Sequence, residues 1–250
     1  MKTLITGATG FVGAAVLREL LNNGHNVKAL VRTSSDLQNL KGLNIEIVYG
    51  DLKDKDSLSR ALKGCKYLFH VAADYRLWVP KPKNIYENNV EGTNNLMFEA
   101  LRLEIEKIVY TSSVAVLGKP KNGDIANETT PVDITQMIGH YKKSKFLAEQ
   151  KVQSLCKEKK LPVVIVNPAA PVGPRDIKPT PTGKMVLDAA SKKIPAYLDT
   201  GLNIVHVEDV AAGHIKAFNK GKIGESYNIG TGFIINNLKL TRNFEISSQF

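Results

Sequence analysis

Gly7-Ala8-Thr9-Gly10-Phe11-Val12-Gly13 lies between an apolar run, Lys2–Thr6, and an amphipathic one from about Phe11 to Asn23. Glycines at this spacing in a strand-to-helix junction restrict the fold more than any other feature of the chain. One permits the tight turn, one lets the backbone approach a pyrophosphate, and one lets the helix pack against the strand. The helix N-terminus then presents free N–H groups and the positive end of its dipole to an anion. Placed directly after the first strand, the pattern implies a dinucleotide site rather than a plain structural turn.

The rest of the chain repeats the alternation. In the first helix Val12, Val16 and Leu20 fall four apart beside Leu17 and Leu21, while Arg18, Glu19 and Asn22 face outward. Val27–Val31, Ile45–Tyr49, Tyr67–Val71, Ile108–Tyr110 and Val163–Asn167 read as further strands. Ser57–Leu62, about Asn84–Leu103, Gly139–Lys159 and Gly183–Ser191 read as helices. This order predicts an α/β fold, a doubly wound parallel sheet of Rossmann type covered on both faces. The loops Lys119–Thr135 and Pro168–Thr182 are long for connections in a compact domain, and such loops after strand ends carry function more often than not.

Composition narrows the function classes. A chain of 250 residues needs no disulfide or metal staple. Cys65 and Cys156 show no CxxC spacing and no histidine pairing, which argues for a reducing, cytoplasmic setting and against a zinc site. The net charge of +10 is spread over both halves. Its densest cluster, Lys142 to Lys160, reads as a solvated helix face, not a nucleic-acid patch. No apolar run reaches the ~18–20 residues of a membrane span.

Three further features carry chemistry. Nineteen residues past Gly13, where an NAD site wants Asp or Glu, stands Arg32, followed by Thr33, Ser34 and Ser35. A guanidinium among hydroxyls suits a 2′-phosphate, so NADP(H) is preferred, with NAD(H) as the alternative. Tyr141 and Lys145 are four apart on one helix face. A tyrosine is a poor acid–base at neutral pH unless an ammonium stabilises its phenolate, and Lys145 is placed to do so. Thr111-Ser112-Ser113, at a strand end beside that helix, offers a hydroxyl to a substrate oxygen.

Together Gly7/Gly10/Gly13, Asp51-Leu52-Lys53-Asp54, Val71-Ala72-Ala73, Asn89-Val90-Glu91-Gly92-Thr93, Ser113 and Tyr141/Lys145 resemble the extended short-chain dehydrogenase/reductase family. Residues 70–78, 139–145, Asn167-Pro168, 179–183 and 206–210 narrow the likeness to the hopanoid-associated sugar epimerase and dihydroflavonol 4-reductase-like group. The resemblance implies that Ser113 orients the reacting oxygen, that Tyr141 transfers its proton, and that Lys145 holds the cofactor ribose. It further implies that Gly7, Thr9, Gly10, Phe11, Val12 and Gly13 line the phosphates. Asp51 and Leu52 would meet the adenine, Ala72 and Ala73 would line the cleft, and Pro168 would lie by the nicotinamide. Asn89 would brace the backbone, and His206 and Asp209 would tie a strand end to a helix start. Tyr75 and Trp78, in the loop with Arg76, are expected to reach the substrate; the other reading is a satellite hydrophobic cluster.

Residues 1–168 are expected to form the dinucleotide-binding core and 169–230 a partial substrate lobe, with a strand and a helix returning to the core. Residues 231–250 match no family pattern and read as a truncation. The implied function is an NADP(H)-dependent oxidoreductase acting on a small-molecule carbonyl or alcohol. A nucleotide-sugar epimerase/dehydratase is the nearest alternative, and a cofactor-binding but inactive sensor or scaffold is the alternative of another class. The partner expected is the small-molecule substrate, with no nucleic acid, no membrane span and no metal, and a homodimer as the candidate assembly.

Overall fold

Neighbouring apolar residues such as Leu4 and Ile5, or Leu68 and Phe69, point to opposite faces of their strands, so both faces of the sheet must be covered. A computed structural model, describing residues 1–120, 124–194, 201–231 and 235–236, shows how. β1 (Lys2–Thr6) turns through the glycines into α1 (Phe11–Asn22). β2 (Asn26–Val31), β3 (Glu46–Tyr49), α2 (Lys55–Leu62) and β4 (Tyr67–His70) follow. α3 (Lys83–Tyr86) runs through a π turn at Glu87–Glu91 into α4 (Gly92–Arg102). Next come β5 (Lys107–Thr111), α5 (His140–Lys159) and β6 (Val163–Pro168). The last elements are β7 (Ala170–Val172), α6 (Pro181–Ala190), β8 (Gly201–Leu202), β9 (Ile204–His206), α7 (Val207–Lys220), β10 (Ser226–Ile229) and β11 (Ile235–Asn236).

The main sheet has seven strands in the order β10-β6-β5-β4-β1-β2-β3, all parallel. The doubly wound sheet expected from the sequence is therefore present. The order in which strands are added reverses between β1 and β4, and the crevice at their carboxyl ends is where such sheets bind ligands. One face packs Ala15, Val16, Leu17 and Leu20 of α1 with Val207, Ala211, Ile215 and Phe218 of α7 against Ile5, Val27, Phe69, Val109 and Val164. The other packs α2, α4 and α5 through Leu58, Leu96, Met97, Ala148 and Val152 against Leu4, Leu68, Ile108 and Ile165. α7 and β10 thus return to the main sheet, β10 pairing with β6 from Ser226↔Ile165 to Ile229↔Pro168. Two short ladders, β7 with β9 and β8 with β11, stand apart from it.

Several helices begin earlier than apolar periodicity predicts. α2 starts at Lys55 because the Asp54 carboxylate accepts the N–H groups of Asp56 and Ser57 at 3.1 and 3.2 Å. α6 starts at Pro181 because the Thr180 hydroxyl accepts from Gly183 N–H at 3.1 Å, with proline at a first-turn position where its missing N–H is harmless. His206 caps α7, its Nδ1 accepting from Glu208 N–H at 3.3 Å. The long helix about Asn84–Leu103 is interrupted by the π turn, a feature that recurs at functional sites. The tail read as a truncation lies outside the described residues, apart from Thr231 and the backbone of β11. No helix among the described residues is long and apolar enough to cross a membrane.

Candidate active site

At the crevice, close approach dictates the glycine turn. Gly7 has φ +78°, and a Cβ there would lie 2.6 Å from the Ala72 nitrogen at the end of β4. A Cβ on Gly13 would come within 2.0 Å of the Gly7 carbonyl oxygen, so only hydrogen lets α1 sit on the turn. Gly10 differs: it is exposed, and a Cβ would meet only the Gly7 oxygen at 3.4 Å. α1 begins with no side-chain cap and no acidic residue in its first turn. Its N-terminal dipole is therefore not neutralised from within the helix, and the open face over Gly10 fits a dinucleotide pyrophosphate. The side chain of Phe11 is buried in the core and that of Val12 packs against it, so both would meet a phosphate through backbone. The Thr9 carbonyl accepts from the Asn39 amide at 3.1 Å, and the same amide reaches the Arg175 carbonyl at 3.3 Å.

These geometries separate two glycine substitutions. Gly10→Val is expected to leave the fold intact and abolish NADPH binding, because the new side chain fills the phosphate's space. Gly13→Val is expected to cost at least about 1–3 kcal/mol of stability through overpacking. Thermal melts and NADPH titrations of both variants check this; wild-type affinity in folded Gly10→Val would remove the motif's role.

Arg32 follows β2 directly and is exposed, with Thr33 and Ser34 also exposed. Asp51 turns the chain after β3: its carboxylate accepts from Lys53 N–H at 2.9 Å and its own N–H donates to the Ser57 hydroxyl at 3.1 Å. Leu52 lies under Gly92, where a Cβ would be 2.8 Å from the leucine Cβ. Ala72 donates its N–H to Thr6 Oγ1 at 3.3 Å, Ala73 is exposed, and Pro168 is buried at the end of β6.

The chemistry-bearing side chains gather at the ends of β4 and β5. Tyr141 and Lys145 are one turn apart on α5, which opens at Gly139. Ser113 caps the short 3-10 turn Val114–Val116, its hydroxyl accepting from Ala115 N–H at 3.1 Å. The same hydroxyl faces the Tyr141 phenol. Burial raises the Tyr141 pKa above its ordinary value, the Tyr75 phenol adds to this, and Ser113 opposes it. The phenol is thus a protonated acid at neutral pH. The Tyr75 ring stands 4.7 Å from that of Tyr141 at an interplanar angle of 60°. Trp78 is 81% exposed, with no aromatic partner among the described residues, so the structure does not bring it to Tyr141.

Lys145 is buried, and desolvation lowers its pKa to about 8, with Glu149 pulling it back up. Its ammonium donates to the Tyr110 phenol at 3.1 Å and to the Thr111 carbonyl at 2.8 Å. These bonds anchor it to β5 rather than to Tyr141, and one of its three donors remains for a ligand. The π turn delivers Asn89 into the same region. Its amide oxygen accepts from Asp74 N–H at 2.7 Å, while its NH₂ donates to the Asp74 carbonyl at 3.1 Å and to Ser144 Oγ at 3.0 Å. That ties the loop carrying Tyr75 to α5. The Asp74 carboxylate accepts from Arg76 Nε at 2.7 Å, fixing the loop further. Tyr110 and Asn39 were not singled out from sequence. The signal for Tyr110 was a polar-tipped aromatic within an otherwise aliphatic buried strand; Asn39 gave none.

A family model described as NAD dependent epimerase/dehydratase family matches residues 3–230. A putative dihydroflavonol 4-reductase of Synechocystis sp. is 46% identical over 230 residues, 90% of this chain and 66% of its own. Sterol demethylase protein B of Methylococcus capsulatus is 38% identical over 227 residues, 91% of this chain and 69% of its own. The chain therefore spans about two thirds of the length of these relatives. Among solved structures, that of gox2253 superposes with a TM-score of 0.95 at 58% identity, covering 99% of this chain and 74% of its own. The UDP-glucose 4-epimerase of Thermus thermophilus in complex with NAD gives 0.86 at 25% identity, covering 100% and 84%.

Proposed function

Since the chain belongs to the NAD dependent epimerase/dehydratase family, we propose that it is an NADP(H)-dependent oxidoreductase acting on a carbonyl or secondary alcohol of a small molecule. One observation carries the reading: Ser113, Tyr141 and Lys145 lie together where β5 ends. The bound nicotinamide would supply or accept the hydride. The chain's own residues do the remainder. The N-terminal amides of α1 hold the pyrophosphate and Lys145 holds a ribose hydroxyl with its spare N–H. Ser113 and the Tyr141 phenol both address the substrate oxygen, and the protonated phenol delivers its proton as negative charge develops there. Tyr75, packed on Tyr141, forms one wall of the substrate space. The cytosol suits both free cysteines.

A nucleotide-sugar epimerase would use the same three residues, and the likeness to the Thermus epimerase favours that second reading. The 46% identity to a putative dihydroflavonol 4-reductase favours the first. Assays of carbonyl compounds and nucleotide sugars with both cofactors test the choice: a reductase consumes cofactor as product forms.

Arg32 supports the choice of phosphorylated cofactor. Removing a charge-assisted partner of a 2′-phosphate forfeits about 1.5–3 kcal/mol. Arg32→Asp is therefore expected to weaken NADPH binding by about ten- to a hundredfold and to bring NADH level with it or ahead. Titrations of both cofactors decide it, and tighter NADH binding by the wild type would refute the assignment.

A further inference from the structure

A buried chain of polar side chains runs away from the Lys145 ammonium, and no motif reading gives Tyr110, Thr93 or His70 a role. The Tyr110 phenol accepts from Nζ at 3.1 Å and faces the Thr93 hydroxyl, which opposes the rise that burial imposes on the phenol's pKa. Thr93 Oγ1 meets His70 Nε2 at 2.9 Å, and His70 Nδ1 meets Thr6 Oγ1 at 2.7 Å. Thr6 Oγ1 in turn accepts the N–H of Ala72 at the cofactor crevice. All five side chains are buried, and the chain crosses from α5 through β5, α4 and β4 to β1.

Donor and acceptor rules give this chain one direction. An ammonium only donates, so the Tyr110 oxygen accepts, and its own proton is free to turn toward Thr93. The Thr93 hydroxyl then donates to His70 Nε2, which leaves Nδ1–H to donate to Thr6. The arrangement requires neutral His70, and burial together with the Lys145 charge lowers its pKa to about 3. The ammonium also lies over the Tyr110 ring, 4.7 Å from its centroid.

We propose that Tyr110, backed by Thr93 and His70, is the positioning residue for Lys145, holding its ammonium charged and in one orientation so that the remaining N–H is free for the cofactor ribose. The inference rests on the reading of Lys145 as a cofactor residue. It is not a proton conduit: burial holds His70 neutral, its pKa well below that of Lys145. The other titratable group facing Lys145 is Glu149 on its own helix, while Tyr141 on that helix acts on Tyr110. Burial raises the Glu149 pKa, opposed by the Ser112 hydroxyl, Lys145 and Asn167.

The test replaces Tyr110 by phenylalanine, which keeps the ring beneath the ammonium and removes its acceptor. The Lys145 amine is titrated by NMR with isotope-labelled lysine, its signal identified by loss in Lys145→Met. Tyr110→Phe should lower the Lys145 pKa by about one pH unit and weaken NADPH binding about tenfold above neutrality, moving the alkaline limb of the binding profile down equally. Thr93→Val, which removes only the hydroxyl behind Tyr110, should shift both in the same direction by less, and decides the matter alone if Tyr110→Phe does not fold. An unchanged Lys145 pKa in the folded variants overturns the inference. Should the wild type not bind NADPH, the amine titration still judges the positioning role, and the cofactor reading alone fails.

Discussion

Replacing Tyr141 by phenylalanine should lower the rate of carbonyl reduction by about 10²–10⁴-fold, the usual contribution of a positioned proton donor. The change is nearly isosteric. The edge-on contact with Tyr75 and the helix around it survive, and only the hydroxyl that faces Ser113 is lost. Cofactor affinity should barely move, because the phenol is assigned to the substrate oxygen. Pre-steady-state hydride transfer with an active substrate measures this. Full rate in folded Tyr141→Phe would mean that the proton comes from elsewhere.

Lys145→Met should lose both rate and affinity, because the ammonium serves the ribose as well as the catalytic centre. Its effect on stability has an unusual sign. The folded chain releases the Lys145 proton near pH 8, whereas a lysine side chain ordinarily does so near 10.5. Between those values the unfolded chain binds more protons, so raising the pH stabilises the fold, by up to about 1.4 kcal/mol per pH unit. Below pH 8 the wild type carries the full penalty of the buried charge. Methionine keeps the buried stem and has no proton to release, so the rise should be absent from Lys145→Met. The difference between the two unfolding curves from pH 7 to 10.5 isolates this effect from the tyrosines and Cys65. Parallel curves would show that Lys145 is not held in the desolvated environment described.

Local features were legible in the sequence. β1 and the start of α1 follow from an apolar run meeting the glycine turn, and both fall where the pattern places them. Arg32 and the Tyr141/Lys145 pair could be singled out because spacing along a strand end or a helix face is itself local. What depended on distant contacts was hidden. Asp54 caps α2 from outside the apolar periodicity, so periodicity alone predicts the helix start too late. The π turn leaves the residue types of a helix unchanged, yet it carries Asn89 to the Asp74 backbone. Tyr110 read as an ordinary strand residue because Lys145, its partner, lies 35 positions away. Trp78 followed Tyr75 closely enough to share its expected role, but only Tyr75 packs on Tyr141.

Counting cofactor against product tests the proposed reaction most directly. Protein supplied with NADPH and a panel of carbonyl compounds and nucleotide sugars should oxidise one NADPH for each alcohol formed, with NADH poorer and Tyr141→Phe nearly inert. Product accumulating with no net change in cofactor, as an inverted sugar would, contradicts the reductase assignment and identifies the epimerase reaction in its place.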